Sequence, residues 1–167
     1  MLFLLAAAGF WAGAQNALAG GGSFITFPAL LLAVLDPRAA NITSCVALFP
    51  GQIAMSWSGR RAAGGVGKLG LKALFAISLV GGVLGALLLL ATPATFFARL
   101  VPWLVLFATL VFALGYPIRR RLPQGAKLPP WLLGMIQLAI SVYGGYFGGG
   151  IGFLMLAALT LAGQAVR

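Results

Sequence analysis

The sequence is poor in the side chains that carry most enzyme chemistry. Its 167 residues include no histidine, one cysteine (Cys45) and one acidic residue (Asp36). Metal sites and general acid–base catalysis depend on those residue types, so we predict no catalytic residue, no bound metal and no cofactor. A single cysteine excludes an internal disulfide. The ATP-binding pattern G-x-x-x-x-G-K-[ST] is also missing from the sequence, which argues against ATP hydrolysis by these residues.

Charged residues are scarce as well, at 7%, whereas hydrophobic residues make up 62%. Soluble domains are about 25% charged, and a soluble fold of this length could not bury so much apolar surface. The predicted solvent is therefore lipid. The N-terminal stretch has no basic region and its apolar run is too long for a cleavable signal peptide. We expect a multi-pass membrane protein.

Five hydrophobic segments follow one another at about residues 2–35, 42–59, 69–91, 100–118 and 131–162. A helix rising ~1.5 Å per residue needs about 20 residues to cross a ~30 Å hydrocarbon layer. The three middle segments fit one crossing each. The first and last are too long for one straight span and contain glycine clusters, so each is predicted to be two helical pieces around a break. The expected fold is an all-α transmembrane helical bundle.

Positive charge marks the predicted orientation. The sequence has eleven Lys and Arg residues and one acid, for a net charge of +10, and eight of the basic residues form two groups, at positions 60–72 and 119–127. Two segments separate the groups, which places both on one side, the cytoplasm by the positive-inside rule. No basic patch is interleaved with aromatics, so no nucleic-acid partner is expected. The N-terminus is cytoplasmic if the first segment crosses once and periplasmic if its two pieces each cross.

Two short segments that are predicted to lie on the side of the membrane opposite the cytoplasm carry residues typical of a helix start. Asp36 followed by Pro37 is the pairing preferred at an N-cap and a first helical position, and Thr92-Pro93 repeats it more weakly in the loop predicted at 92–99.

Glycines four residues apart form two pairs, Gly9/Gly13 and Gly81/Gly85. This spacing is typical of close helix packing in membranes, and we interpret both pairs in that way.

The first glycine cluster has a counterpart late in the chain. "LAGGGSFITFPALL" resembles "YFGGGIGFLMLAAL", with Gly20, Gly21 and Gly22 falling on Gly148, Gly149 and Gly150 at an offset of 128 residues. Broken helices in matching places of two halves indicate a transporter's substrate site. We predict a first repeat of four spans at 1–127, broken at 20–22, and the start of a second at 128–167, broken at 148–150. The second repeat is thus expected to be truncated, in a fragment of a longer protein.

Unwound backbone inside a membrane leaves N–H and C=O groups unpaired, and the helix that resumes after a break presents free N–H groups and a positive dipole end. Such a site suits an anion. Neutral polar side chains that can donate hydrogen bonds lie near both breaks. An alternative is that the glycines serve only packing and that serines and threonines bond their own helix carbonyls. The predicted substrate-binding residues are Gln15, Asn16, Gly20, Gly21, Gly22, Ser23, Thr26, Asn41, Ser44, Gln52, Tyr143, Gly148, Gly149 and Gly150.

Several of these stretches resemble the sulfite exporter TauE/SafE family: "GGGSFITFPALLLA", "DPRAANITS", "ALFPGQ", the basic pair after the second segment and "YGGYFGGGIGFLMLAAL". The resemblance implies an inner-membrane protein with two related halves that moves small sulfur-containing or organic anions, such as sulfite and sulfoacetate. We therefore expect a secondary transporter that exports such anions, with the lipid bilayer and the anion as partners. A non-transporting scaffold or assembly subunit, an inactive fragment, a channel and a homo-oligomer remain alternatives.

The orientation can be tested with a single cysteine at position 64, which lies within the first group of basic residues. In a Cys45→Ala background, Gly64→Cys should react with a membrane-impermeant maleimide only when the cytoplasmic side is open, as in inverted vesicles. Labelling of intact cells from the periplasm would contradict the predicted topology.

Overall fold

The computed structural model describes residues 1–61, 64, 69–121, 129–152 and 154–155. The predicted all-helical class is confirmed for this part of the chain. The basic residues Lys68 and Lys127, the boundary between residues 127 and 128, and the end of the last hydrophobic segment lie outside the described residues. The helices are α1 (Leu2–Ala19), α2 (Ser23–Leu32), α3 (Pro37–Gly59), α4 (Leu71–Ala91), α5 (Ala94–Arg121) and α6 (Pro130–Tyr146).

The first hydrophobic segment holds two helices joined by glycines. α1 is followed by Gly20 in the left-handed conformation, with φ 68°, and the Gly20 amide donates to the Asn16 carbonyl at 2.9 Å. A glycine in this conformation commonly ends a helix because it has no Cβ to clash with the backbone. The chain is helical again from Ser23. We call residues 20–22 the first glycine turn.

The last hydrophobic segment changes course in a similar way. α6 ends at Tyr146, and two of the next residues, Gly148 and Gly150, have φ values of 73° and 75°. The Leu154 amide then donates to the Gly150 carbonyl at 3.1 Å, which marks a return to helical structure. We call residues 147–150 the second glycine turn.

The predicted cap at Asp36 is confirmed. Its carboxylate accepts hydrogen bonds from the amides of Arg38 and Ala39 at 3.0 and 3.2 Å, and Pro37 occupies the first position of α3. The Arg38 guanidinium donates to the carbonyls of Leu90 and Thr92 at 3.0 and 3.1 Å. A cation at a helix C-terminus is favourable because it meets unpaired carbonyls and the negative dipole end. Arg38 therefore joins the start of α3 to the end of α4.

The predicted start of the fourth segment at residue 100 is wrong, because α5 begins at Ala94. The stretch interpreted as a loop is helical, and the amide of Phe97 donates to the carbonyl of Pro93 at 3.0 Å. Phe97 is completely buried, with its ring 5.6 Å from that of Tyr146. Burial of this side chain against the end of α6 explains the extra helical turns, and it depends on a residue far along the chain.

α4 and α6 pack with their backbones in close contact. A Cβ added at Gly85 would overlap the carbonyl oxygen of Val142, and one added at Gly81 would lie 2.6 Å from the Cβ of Ser141. Small residues permit such approach between membrane helices. The packing interpretation is thus confirmed for the Gly81/Gly85 pair.

The apolar surface of these helices is largely exposed. α4 and residues 94–111 of α5 are long and apolar enough, by length and composition, to cross a membrane. Phe75 on α4 and Trp103 on α5 are each 68% exposed. A core helix of a soluble protein would bury such side chains, whereas contact with lipid accounts for their exposure.

The α4–α6 contact predicts that substitutions of two nearby glycines on α4 differ in their effect on stability. Gly85→Ala should lower the free energy of unfolding by about 1–3 kcal/mol, because the added methyl overlaps α6 backbone. Gly82→Ala is the matched control, since a Cβ there meets nothing within 4 Å, and it should leave stability unchanged or slightly raised. Unfolding of the purified protein in detergent gives both values. Equal effects of the two substitutions would contradict the observed packing.

Candidate functional site

Each glycine turn contacts a residue that closely follows the other turn, although 128 residues separate the two turns in sequence. A Cβ added at Gly20 would lie only 2.8 Å from the Cα of Gly152, and one added at Gly150 would lie 3.0 Å from the ring of Phe24. A larger residue at position 20 would be excluded both by this approach and by its positive φ.

A cavity of about 200 Å³ lies beside the two turns. At roughly 30 Å³ per water molecule in the liquid, it has room for a few waters or one small solute. Its lining is almost entirely apolar, and three of the predicted site residues, Ser23, Asn41 and Gly149, are among the residues that line it. Small-molecule sites commonly combine apolar walls with a few placed polar groups. The lining residues are Ser23, Phe24, Phe27, Pro28, Leu31, Asn41, Val105, Phe147 and Gly149.

A pair of buried hydroxyls holds the first glycine turn. Thr26 and Ser44, 7% and 1% exposed, share a hydrogen bond between their side-chain oxygens. Thr26 Oγ1 also lies 3.3 Å from the carbonyl of Gly22. If Thr26 donates its single proton to that carbonyl, Ser44 donates to Thr26. Ser44 thus joins α3 to the start of α2 through a side-chain contact.

Two further polar side chains hold the second glycine turn. Asn41, 3% exposed, donates from Nδ2 to the Tyr146 carbonyl at 3.3 Å. The Tyr143 hydroxyl lies 3.0 Å from the carbonyl of Gly149 and 3.1 Å from that of Leu104. The Asn41 contact thus satisfies a carbonyl that the end of α6 leaves without a helical partner, and Tyr143 joins α6 to α5 and to the second glycine turn.

Amide groups at the start of α2 have no such partners. Among the described residues, the amides of Gly21, Gly22 and Ser23 donate to no carbonyl or side chain, whereas those of Phe24, Ile25 and Thr26 donate to carbonyls of the first glycine turn. The N-cap residue, Gly22, provides no side-chain cap. Free amides at the positive end of a helix dipole are suited to bind an anion.

The other predicted site residues occupy different surroundings. Asn16 is buried and its carbonyl accepts the Gly20 amide, so it supports the first glycine turn. Gln15 is half-buried on α1, and Gln52 is exposed on α3. Neither lines the cavity. Positions 41, 44, 48 and 52 share one face of α3, and this face is buried at the first three positions but not at 52.

Sequence reasoning missed the apolar part of the cavity wall. Phe24, Phe27 and Phe147 line it together with Val105 of α5. Their only sequence signal is proximity to the glycines, and Val105 has none. In a chain with so many apolar residues, composition does not separate a cavity wall from a lipid-facing surface.

In the described part of the chain, exposed apolar helices surround buried turns, which is typical of a helical membrane protein. The chain belongs to the sulfite exporter TauE/SafE family, whose model matches residues 5–167. No solved structure matches the chain.

Curated relatives carry names consistent with this family. The chain is 34% identical to "Probable membrane transporter protein ORF9" of Sinorhizobium sp, over 99% of this chain and 64% of the relative. It is 31% identical to a "Probable membrane transporter protein" of Haemophilus influenzae, over 98% of this chain and 64% of the relative. It is 32% identical to "Probable membrane transporter protein YfcA" of Escherichia coli K12, over 91% and 56%. The chain thus spans less than two thirds of the length of these relatives.

The buried hydroxyl pair generates a stability prediction. Thr26→Val should destabilise the protein by about 1–3 kcal/mol, because it leaves the buried Ser44 hydroxyl without its partner. Thr26→Ser should retain most of the stability. Thr109→Val is the control, since Thr109 is exposed and bonds only its own helix, at the Val105 carbonyl. Thermal unfolding in detergent measures all three, and equal losses for Thr26→Val and Thr109→Val would contradict the assigned contact.

Proposed function

We propose that this chain is part of an integral membrane secondary transporter that exports small anions, with the solute bound at the two glycine turns. Membership of the TauE/SafE family and the names of the curated relatives support a membrane transporter. Sulfur-containing or organic anions are the proposed substrates, on the strength of the family's description as sulfite exporters.

One observation carries the proposal: two glycine turns, from matching places in the sequence, meet beside a cavity. The approach of Gly20 to Gly152 brings them together, and Ser23 and Gly149 contribute to the same cavity wall. Interrupted backbone is tolerated within a membrane only where protein or water covers it. A solute site at this junction explains why both interruptions lie there.

The proposed binding chemistry uses neutral donors. The free amide of Ser23, a residue that lines the cavity together with Asn41, would hold an oxygen of the anion, and the free amides of Gly21 and Gly22 directly precede it. The apolar rings around the cavity lower the local dielectric, which strengthens each hydrogen bond. Removing an anion from water is costly, so a site without a fixed positive charge binds weakly enough to release it.

The proposed movement follows from the internal repeat. The first glycine turn belongs to the first repeat and the second to the next, so the cavity lies where the repeats meet. In transporters built from repeats, rocking of one repeat against the other opens a central site to alternate sides. Coupling would come from an ion gradient or from the gradient of the anion itself, because the sequence carries no ATP-binding pattern.

Substitution of the turn glycines tests the site. Gly21→Leu and Gly149→Leu should abolish uptake of radiolabelled sulfite or sulfoacetate into proteoliposomes, because a leucine would fill the approach to the backbone. Gly51→Leu is the matched control, since Gly51 is exposed on α3 with nothing within 4 Å of an added Cβ. Membrane insertion and unfolding in detergent are measured for every variant, so that loss of flux is compared only among folded proteins.

Wild-type flux in folded Gly21→Leu and Gly149→Leu proteins would reject the site. Saturable flux with counterflow supports a carrier, and flux that does not saturate indicates a channel. Absence of flux for every anion, in this chain and in a full-length relative alike, would favour a scaffold subunit. Flux confined to the full-length relative would identify this chain as an inactive fragment.

A further inference from the structure

The outward side of α1 is uncovered over its whole length. We define the α1 outer face as the seven residues Ala6, Gly9, Phe10, Gly13, Ala14, Ala17 and Leu18, all of which are exposed. Phe10 is 75% and Leu18 89% exposed, and a Cβ added at Gly9 or Gly13 meets no atom within 4 Å. The packing expected for the Gly9/Gly13 pair is therefore absent from the described part of the chain.

The offset between the two repeats relates the α1 outer face to a face of α6 that packs against α4. A shift of 128 residues places its members on Gly134, Gln137, Leu138, Ser141, Val142, Gly145 and Tyr146 of α6. Every one of these contacts α4.

Close backbone contacts and one hydrogen bond make up that α6 interface. Gln137 Nε2 donates to Ser78 Oγ at 2.6 Å. Gly134 faces Ile77, while Leu138 and Ser141 lie against Gly81. Val142 and Tyr146 lie against Gly85, and Gly145 against Gly82. Residue numbers rise together along both helices, so α4 runs parallel to α6.

Contacts between the two glycine turns are nearly reciprocal. Gly20 lies against Gly152. At the 128-residue offset, the equivalent of Gly152 in the first repeat is Phe24, and the equivalent of Gly20 in the second repeat is Gly148. Phe24 lies against Gly150, which is two residues from Gly148. Reciprocal contacts of this kind are the property of a two-fold arrangement. In such an arrangement, the contact between α4 and α6 implies a second, equivalent contact. In that contact, α1 packs against the helix of the second repeat that corresponds to α4.

We infer that the α1 outer face is the docking surface for this equivalent helix, an apolar helix with small residues at four-residue spacing. Five of the seven residues on the face are glycine or alanine, which suits close backbone approach. The α4 of a second copy would not serve, because α6 already covers its glycines. The region aligned with this chain covers 64% of the Sinorhizobium relative, and the rest of that protein is long enough to contain such a helix. The inference rests on the repeat invoked in the proposed function but not on the identity of the solute.

A peptide with the sequence of α4, residues 71–91, is the probe. The whole chain, with Cys45→Ala and Leu2→Cys, carries a donor fluorophore at the start of α1, outside the α1 outer face. The peptide carries an acceptor at its N-terminus, which parallel docking would place near residue 2. Both are reconstituted in liposomes at rising peptide-to-lipid ratios. We expect saturable energy transfer above the level given by random mixing in the bilayer.

Two variants and one control locate the contact. Gly13→Leu in the chain, or Gly81→Leu with Gly85→Leu in the peptide, should abolish the saturable transfer. Gly51→Leu, an equally exposed glycine on α3, should leave it unchanged. No saturable transfer, or transfer unaffected by Gly13→Leu, would overturn the inference.

Energy transfer between two labelled copies of the chain, without peptide and abolished by Gly13→Leu, would assign the face to a second copy and also overturn it. Solute flux is not part of this readout. A failure of docking therefore leaves the solute site untouched, and a failure of transport leaves the docking result standing.

Discussion

The constraint behind this structure is that backbone polar groups surrounded by apolar residues need partners. Each interruption of a helix exposes such groups, and side chains meet several of them. Thr26 lies against the Gly22 carbonyl, Asn41 donates to the Tyr146 carbonyl, and Tyr143 lies against the Gly149 carbonyl. These three carbonyls are satisfied from within the protein. Among the described residues, the amides of Gly21, Gly22 and Ser23 donate to no carbonyl or side chain, and the proposed anion site uses these donors.

Helix packing and the site are connected through one set of contacts. The Tyr146 hydroxyl lies 3.4 Å from Thr92 Oγ1, and the Thr92 carbonyl accepts from Arg38. The Tyr146 carbonyl accepts from Asn41, which lines the cavity. The end of α4, the start of α3 and the end of α6 are thus joined beside the second glycine turn. A shift of α6 against α4 would therefore change the contacts beside the cavity wall.

Local sequence signals predicted some helices well and failed where contacts between residues far apart in the chain determine the structure. The cap at Asp36 was predictable because its acceptor and donors are neighbours in sequence. The start of α5 was signalled only weakly, by Thr92-Pro93, and the loop expected at 92–99 is helical there, with Phe97 packed against Tyr146 and Phe147. The two glycine pairs show the same limit. Gly81/Gly85 and Gly9/Gly13 have the same spacing, yet only the first pair has a helix against it in the described structure.

The sequence by itself determined the helical class, the positions of the glycine turns and most polar residues that support them. It did so because helix periodicity, capping and glycine conformation are set by residues close in the chain. Only the tertiary structure decided that the two turns meet, that phenylalanine rings form the cavity wall, and that Gln52 lies away from it. Those outcomes depend on which surfaces pack across more than a hundred residues of chain. Packing is a property of shape and volume, and glycine spacing permits a close contact without selecting its partner.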